Sequence, residues 1–365
     1  MDATSIYLPD KFAEVARSAP RGKLSPEYRD IVDATVALLE DYRARTQVEA
    51  IGLPRALPDG LFARTKDNLW RDWRVIWTEA DECLAEINRD VEQVAAAKSY
   101  TEAHLTSRLL DAPLWRQAYA KPLGYAGDYA VMNFIYDGAS LGETPFARLA
   151  HALAIRIGEF VVRRKDLVHD AIADAVARLP ASHNVTIASL GCGPAREIAE
   201  FAGNGVRADA PISFVLLDQD EQALRFAGRA IAGALDRRRG GPPIRIDLRK
   251  ISVLRLLRDF HPRDVFSPLD MIYSAGLFDY FSDRTCRILA RRLYDALRPG
   301  GLLLLGNMKA GTDMPWPLDY IANWTLNYRT AEGVMSWAEE LPGAEISLRT
   351  ESTGYDYLLA VRKGS

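Results

Sequence analysis

Residues 189–201 read SLGCGPAREIAEF: the end of an apolar strand, two glycines one residue apart, and the start of a helix. Gly191 and Gly193 permit a tight turn and a close approach of a ligand to the backbone. Such a turn at the carboxyl end of a parallel strand is typical of a site for a nucleotide-type cofactor, although two glycines alone also fit a turn that binds nothing. The stretch therefore raises the question of which cofactor the turn holds.

Two phosphate-binding patterns do not fit this turn. The dinucleotide fingerprint needs a third glycine at position 196, where Arg196 would obstruct close packing of the helix against a pyrophosphate. A Walker-type loop needs Gly-Lys followed by Ser or Thr, and the sequence lacks that pattern. Neither pattern therefore identifies the cofactor, and the two-glycine turn alone leaves the question open.

The chain around the turn alternates between short apolar runs and helical stretches, which predicts an α/β fold with a doubly wound, mostly parallel sheet. Seven strands are predicted: 185–190, 212–217, 244–251, 269–274, 301–306, 345–351 and 355–362. The last two are expected to form an antiparallel edge of the sheet. The predicted helices between and after them are 195–203, 219–235, 253–260, 282–297 and 331–341.

The preceding part of the chain is predicted to be helical, with a helix over 27–50, one or two helices over 66–98 and a further helix over 101–119. A segment rich in glycine and tyrosine, KPLGYAGDYAVMNFIYDG, begins at Lys121 and precedes a further predicted helix over 145–178. We therefore divide the chain into a helical N-terminal domain (1–118), a lid or connecting segment (119–184) and the α/β core (185–365).

Composition limits the function. The chain has 365 residues and a net charge of -3, so it has no basic field for gathering a nucleic acid. No secretory signal and no uncharged apolar run of membrane-spanning length is seen. Three scattered cysteines suit the reducing cytoplasm, and the five histidines form no spaced cluster, so we predict no metal site and interpret them as surface or capping residues.

Polar and small residues follow several predicted strands where parallel strands bind ligands. Asp218 follows the second strand, and an acidic side chain there can accept hydrogen bonds from both hydroxyls of a ribose. Ile-Ser-Val follows the third strand at 251–253, Ser-Ala-Gly the fourth at 274–276, and LRPGG (297–301) opens the fifth. These positions are expected to meet at one edge of the sheet.

SLGCGP, LLDQD (216–220) and LRPGG together resemble the class I S-adenosylmethionine-dependent methyltransferases, over about 185–365. The resemblance implies a Rossmann-like core and S-adenosylmethionine as cofactor. It also implies the cofactor-binding residues, from the methionine part through ribose and adenine to the sulfonium: Gly191, Cys192, Gly193, Asp218, Gln219, Ser252, Val253, Ser274 and Gly276. One departure is Ser189, where many members have an acidic residue.

Two more stretches, KPLGYAGDYAVMNFIY (121–136) and YSAGLFDYFSD (273–283), resemble a bacterial subgroup with a helical N-terminal extension, as does the W-x-L-x-Y-R pattern at 324–329. That subgroup includes enzymes thought to make 3-hydroxy fatty acid methyl esters. A few relatives cyclise S-adenosylmethionine itself to azetidine-2-carboxylate and methylthioadenosine.

Candidates for the reactive wall are Tyr125, Asp128, Tyr129 and Asn133. On a helix beginning near Asp128, Tyr129 and Asn133 share a face because they are four residues apart. Two alternatives are open: Asp128 could be only an N-cap, and the tyrosines could pack as a lid. Asp279 and Tyr280 are second candidates. Arg329 would suit a substrate carboxylate or an ordinary surface ion pair.

Three functions stay open at this point. The first is methylation of a small-molecule acceptor, at oxygen, with a carboxylate as one candidate. The second is the cyclisation of S-adenosylmethionine, which needs no acceptor. The third is a non-enzymatic, cofactor-binding protein. The face formed by Trp70, Trp73 and Trp77 fits helical core or a homodimer contact.

Overall fold

The computed structural model describes residues 24–49, 57–180, 182–204, 210–258 and 268–364. The chain forms two compact units. One comprises the chain up to Gly158 together with Thr312–Thr325, and the other comprises Glu159–Gly311 and Leu326–Ser365. The domain bounds predicted from the sequence, after 118 and after 184, stay a prediction.

The first unit is helical. Its helices are α1 (Pro26–Glu49), α2 (Asp59–Ile87), α3 (Val91–Thr101), α4 (Pro113–Ala120), α5 (Tyr129–Asp137) and α6 (Pro145–Ile157), with π-helical turns at Glu102–Thr106 and Trp316–Ile321 and a short turn at Ser107–Leu109. Trp73 and Trp77 of α2 are buried, and the ring of Trp73 packs on that of Trp316 at 5.3 Å between centroids. The tryptophan face of α2 is therefore core at these two positions.

Two predicted helices are interrupted. The stretch 101–119 contains the π-helical turn, and α4 starts anew at Pro113, because proline is favoured at the first position of a helix and breaks one that reaches it. The stretch 145–178 is divided at Gly158 into α6 and α7 (Glu159–Ala177). Both interruptions were missed because apolar spacing continues across them.

The second unit contains the predicted seven-stranded sheet, in the order β3-β2-β1-β4-β5-β7-β6. Its strands are β1 (Val185–Leu190), β2 (Ile212–Asp218), β3 (Ile244–Lys250), β4 (Leu269–Ser274), β5 (Leu297–Met308), β6 (Ala344–Thr350) and β7 (Asp356–Lys363). Strands β1 to β5 run parallel to one another, and β7 runs antiparallel to both β5 and β6. The doubly wound fold with an antiparallel edge is confirmed.

Helices lie on both faces of this sheet. They are α7, α8 (Arg196–Gly203), α9 (Glu221–Arg237), α10 (Val253–Arg258), α11 (Asp283–Ala296) and α12 (Ala331–Met335). Alternate side chains of β1 enter two separate cores: Ile187 packs with residues of α7, α8 and α9, whereas Ala188 packs with residues of α11. Burial on both faces explains why the central strands are continuously apolar. Over the described ranges, no helix is both long and apolar enough to cross a bilayer.

Candidate functional site

The glycine turn lies where β1 ends, in the second unit. The backbone N–H groups of Gly191 and Cys192 both donate to the carbonyl of Leu217, at 2.8 and 3.1 Å, so the turn is held against the end of β2. Gly191 and Gly193 have φ angles of +64° and +51°, in the left-handed region that favours glycine. A side-chain carbon added at Gly193 would meet no atom within 4 Å. The backbone at Gly193 therefore faces space that no protein atom fills.

Asp218 ends β2 beside this open space. Its Oδ2 accepts the N–H of Gly193 at 2.9 Å, and its Oδ1 accepts the N–H of Asp220 at 2.9 Å. Burial raises the pKa of the Asp218 carboxyl, while these N–H groups oppose the shift. The N–H of Gln219 also lowers this pKa, and since a carboxylate has about four acceptor positions, capacity remains for a ligand. Asp218 is therefore suited to accept hydrogen bonds from two adjacent hydroxyls of a ligand.

The residues predicted to hold adenine follow β3. The N–H of Ile251 donates to the carbonyl of Asp218 at 2.8 Å, which places the end of β3 beside that of β2. Ser252 and Val253 come next and are half-buried, and α10 begins at Val253. Gln219 is exposed at the other side of Asp218. The ends of β1, β2 and β3 thus bring most of the predicted cofactor residues to one edge.

The loop after β4 completes this edge. Ser274 is buried, and its hydroxyl donates to the carbonyl of Leu190 at 2.9 Å. A side-chain carbon added at Gly191 would come within 3.2 Å of the Leu277 side chain, so the glycine turn and the loop after β4 pack directly together. Gly276 lies between Ser274 and Leu277. The two glycine-containing segments predicted to contact one ligand are therefore adjacent.

A buried carboxylate on α8 has a role that the sequence analysis did not assign. Glu197 is the second residue of α8, and it accepts a hydrogen bond from the Tyr273 hydroxyl at 2.6 Å. Burial raises the pKa of Glu197, and the bond from Tyr273 opposes that rise. Both side chains are buried, and Tyr273 lies opposite Ser189 of β1, the position where many members of the resembled family have an acidic residue. The sequence signal for Glu197 was its place as the second residue of the helix that follows the glycine turn.

Replacing Tyr273 with phenylalanine is expected to lower the free energy of unfolding by about 1–2 kcal/mol, because Glu197 loses its buried donor. The loss is expected to grow with pH. The folded-state pKa of Glu197 is already raised, and removing the donor raises it further, so stability is present below the unfolded pKa and declines as pH rises towards the folded pKa. Urea unfolding at pH 5 and pH 8 measures both effects. An equal loss at the two pH values would contradict this account.

Arg329 is neither a surface ion pair nor open to a substrate carboxylate. It is 8% exposed, and its guanidinium donates to Asp283 at 2.6 Å and to the Asn307 side chain at 2.6 Å. It also donates to the carbonyls of Phe278 and Phe281. The predicted ion pair therefore exists, with Asp283, but Arg329 itself is buried rather than at the surface. The interpretation as a contact for a substrate carboxylate is wrong, because the guanidinium holds the segment that follows β4.

The predicted wall residues lie in the first unit. Asp128 is the N-cap of α5: its Oδ1 accepts the N–H groups of Ala130 and Val131 at 2.9 Å, and its Oδ2 accepts the amide of Gln117 at 2.7 Å. Tyr129 opens the helix, and Asn133 follows one turn later. The Oδ1 atom of Asn133 is buried, and among the described residues no donor lies within hydrogen-bonding distance of it.

The chain before α5 is fixed within the same unit. Lys121 ends α4 in the left-handed conformation, with φ of +48°, and its ammonium donates to the carbonyl of Asn323. Asn323 is itself left-handed, with φ of +51°. Such conformations are uncommon for residues other than glycine. The start of the tyrosine-and-glycine segment is therefore bonded to the 312–325 segment, a pairing that local sequence patterns do not predict.

Among the described histidines, His151 differs from the prediction of a surface or capping residue, and His261 lies outside the described residues. His151 of α6 is buried rather than at the surface, its Nδ1 accepts the N–H of Leu114 at 3.1 Å, and burial lowers its pKa to about 4. It is therefore neutral at ordinary pH. Within the described ranges, no three His, Cys, Asp or Glu side chains are grouped so as to hold a metal ion.

Comparison with known proteins gives likeness at the level of fold. No family model matches the chain, and no curated protein matches it. Among solved structures, a "possible exported protein" from Bordetella parapertussis is 18% identical, with a TM-score of 0.51 over 72% of this chain and 88% of that one.

Two further solved structures are more distant. Magnesium protoporphyrin IX methyltransferase from Synechocystis PCC 6803 with bound SAH is 12% identical, with a TM-score of 0.44 over 64% of this chain and 94% of that one. The N-methyltransferase NodS from Bradyrhizobium japonicum WM9, in complex with S-adenosyl-L-homocysteine, is 15% identical, with a TM-score of 0.37 over 55% and 88% of the two chains. The sheet order within this chain establishes the doubly wound, Rossmann-like core that the sequence predicts.

Proposed function

We propose that this protein is an S-adenosylmethionine-dependent methyltransferase that acts on an oxygen atom of a small molecule. The observation that carries the proposal is the arrangement of Asp218 and Gly193 at the ends of β1 and β2. A carboxylate with acceptor capacity left suits a ribose diol, and the open space at Gly193 leaves room for a ligand beside it. S-adenosylmethionine carries such a diol, so the residues present fit this cofactor.

Each segment of the edge has a proposed task. The glycine turn admits the methionine part, Asp218 and Gln219 hold the ribose, and Ser252 and Val253 flank adenine. When bound, S-adenosylmethionine supplies a methyl group on a positively charged sulfur. The protein then needs to orient the acceptor in line with that group, and positioning of this kind lowers a barrier by about 7–11 kcal/mol.

We propose that Tyr125, Tyr129 and Asn133 contact the acceptor, and that Asp128 acts as a positioning residue that fixes the start of α5. Support comes from the buried Oδ1 of Asn133, which has no donor from the described protein residues. A buried oxygen without a hydrogen-bond donor lowers the stability of the protein by about 1–3 kcal/mol. A methyl acceptor with an O–H or N–H group would donate the missing hydrogen bond. Cytoplasmic location and a homodimer stay predictions.

The decisive assay incubates the protein with S-adenosylmethionine, first alone and then with small hydroxy and carboxylic acids. We expect S-adenosylhomocysteine to form only when an acceptor is present. Methylthioadenosine formed without an acceptor would overturn methyl transfer and establish the cyclisation to azetidine-2-carboxylate. If the protein bound the cofactor but formed no product, it would be a cofactor-binding protein and not an enzyme.

Replacing Asn133 with leucine, which has nearly the same shape, is expected to lower kcat/KM for the acceptor by about tenfold. The reason is the loss of one hydrogen bond to the acceptor. The matched control is Met132→Leu, the neighbouring position on α5, which conserves volume and is expected to leave kcat/KM within twofold. Equal kinetics for the Asn133 variant and the control would remove Asn133 from the acceptor site.

A further inference from the structure

Three buried charged side chains meet in the second unit: Arg164 of α7, Asp279 after β4 and Asp356 at the start of β7. They are 7%, 2% and 1% exposed, respectively. The Nη1 atom of Arg164 lies 2.6 Å from Asp356 Oδ2 and 3.9 Å from Asp279 Oδ2. Asp279 also accepts the N–H of Met308 at 2.6 Å through Oδ1. We call these three side chains the Arg164 cluster.

The charges of the Arg164 cluster do not balance. One guanidinium faces two carboxylates, so the cluster has one surplus negative charge when both are ionised. The neighbouring Arg329 also acts on Asp279, but it is itself paired with Asp283, so these five side chains together still carry one surplus negative charge when all the carboxyls are ionised. Glu351, which accepts the N–H of Asp356 at 3.2 Å, adds another negative group. The Oδ1 atom of Asp356 is buried with no donor in the described part of the chain.

The Arg164 cluster lies directly behind the loop after β4. A side-chain carbon added at Gly276 would come within 2.7 Å of Arg164 Nη2, so the guanidinium rests against this glycine. The next residue, Leu277, packs on Gly191 of the glycine turn. Gly276 and Leu277 of this loop therefore lie between the cluster and the glycine turn, at the edge of the sheet to which the proposed cofactor binds.

We propose that the surplus negative charge of the Arg164 cluster makes the site prefer the cationic cofactor S-adenosylmethionine over its neutral product S-adenosylhomocysteine. The inference rests on the proposed function. The two molecules differ by one methyl group and by the positive charge on sulfur. A buried charge behind a thin loop is weakly screened, so it distinguishes between them by charge. This preference favours release of the product once the methyl group has gone.

The preference is expected to depend on pH. Burial raises the pKa of Asp356 to about 7, with the nearby Asp279 and Glu351 adding to the rise and Arg164 opposing it. Burial likewise raises the pKa of Asp279 to about 6, opposed by Arg164 and Arg329. The cluster therefore gains a proton and loses its surplus charge as pH falls from 8 to 6. The preference for S-adenosylmethionine is expected to be largest at pH 8 and to decline below pH 7.

The test measures the Kd of both ligands by calorimetry for the wild type and for Asp356→Asn at pH 8. We expect the variant to bind S-adenosylmethionine about tenfold more weakly and S-adenosylhomocysteine almost unchanged. Asp295→Asn is the matched control: it makes the same change next to Arg291 on α11, at a side chain that is 50% exposed, and is expected to leave the Kd ratio unchanged.

Equal weakening of both ligands by Asp356→Asn, or no change in their ratio, would overturn the proposal. Should that variant fail to fold, the test is the ratio of the two Kd values in the wild type, measured at pH 8 and at pH 6. A ratio that is the same at both pH values would also contradict the proposal. These outcomes differ from failure of the proposed function, in which the wild type binds neither ligand at any pH.

Discussion

Replacing Asp218 with asparagine is expected to weaken S-adenosylmethionine binding by about 100-fold while the protein stays folded. The carboxylate already accepts two backbone N–H groups, from Gly193 and Asp220. Its remaining acceptor positions are those proposed for the ribose hydroxyls. An asparagine side chain has only one oxygen, so it cannot serve both the backbone groups and both hydroxyls.

The size of this effect follows from hydrogen bonds to a charged group, which are worth about 1.5–3 kcal/mol each. The lost bonds to the ribose therefore correspond to roughly two orders of magnitude in Kd. One backbone N–H also loses its partner, so the free energy of unfolding is expected to fall by about 1–2 kcal/mol. Calorimetry with S-adenosylmethionine and a thermal melt of the same sample separate these two effects.

Asp220→Asn is the matched control for Asp218→Asn. Asp220 is the N-cap of α9, where its side chain accepts the N–H of Gln222 at 2.8 Å, and asparagine caps helices as well as aspartate does. We expect this variant to bind the cofactor within about threefold of the wild type. Unchanged binding in the Asp218 variant would mean that the ligand site lies elsewhere.

Much of the fold of the second unit was predictable because its strands and turns follow from short stretches of sequence. An apolar run such as 185–190 can be buried only as a strand with both faces covered, and the helical stretches on either side supply the cover. The glycine turn is equally local, since the left-handed φ at Gly191 and Gly193 requires glycine in the positions where the sequence has it. Asp218 follows from its place at the end of β2.

The features that the sequence did not reveal depend on distant partners. Arg164 and Asp356 are 192 positions apart, and Arg329 lies 46 positions from Asp283, so no spacing rule connects them. The same residue types with the same spacing would suit an exposed surface. Burial of His151 was missed for a related reason: a histidine within an apolar helix gives no signal about which backbone N–H it accepts.

Replacing Gly306 with alanine is expected to lower the free energy of unfolding by at least about 3 kcal/mol. Gly306 lies in β5, where an added side-chain carbon would be 2.0 Å from the carbonyl oxygen of Ala275 and 2.9 Å from its carbonyl carbon. Both atoms belong to the backbone, so no side-chain rotation relieves the overlap. The loop after β4 would have to move away from β5, which would weaken cofactor binding as well.

Gly203→Ala provides the comparison for Gly306→Ala within the same unit. Its added carbon would lie 3.6 Å from the Ala234 side chain, an ordinary contact, and the residue ends α8. We expect a change of less than about 1 kcal/mol there, since alanine is favoured over glycine in a helix. Urea unfolding of both variants measures the difference. A loss below about 1 kcal/mol for Gly306→Ala would show that the Ala275 segment yields easily, so that close packing against β5 does not hold the loop after β4 in place.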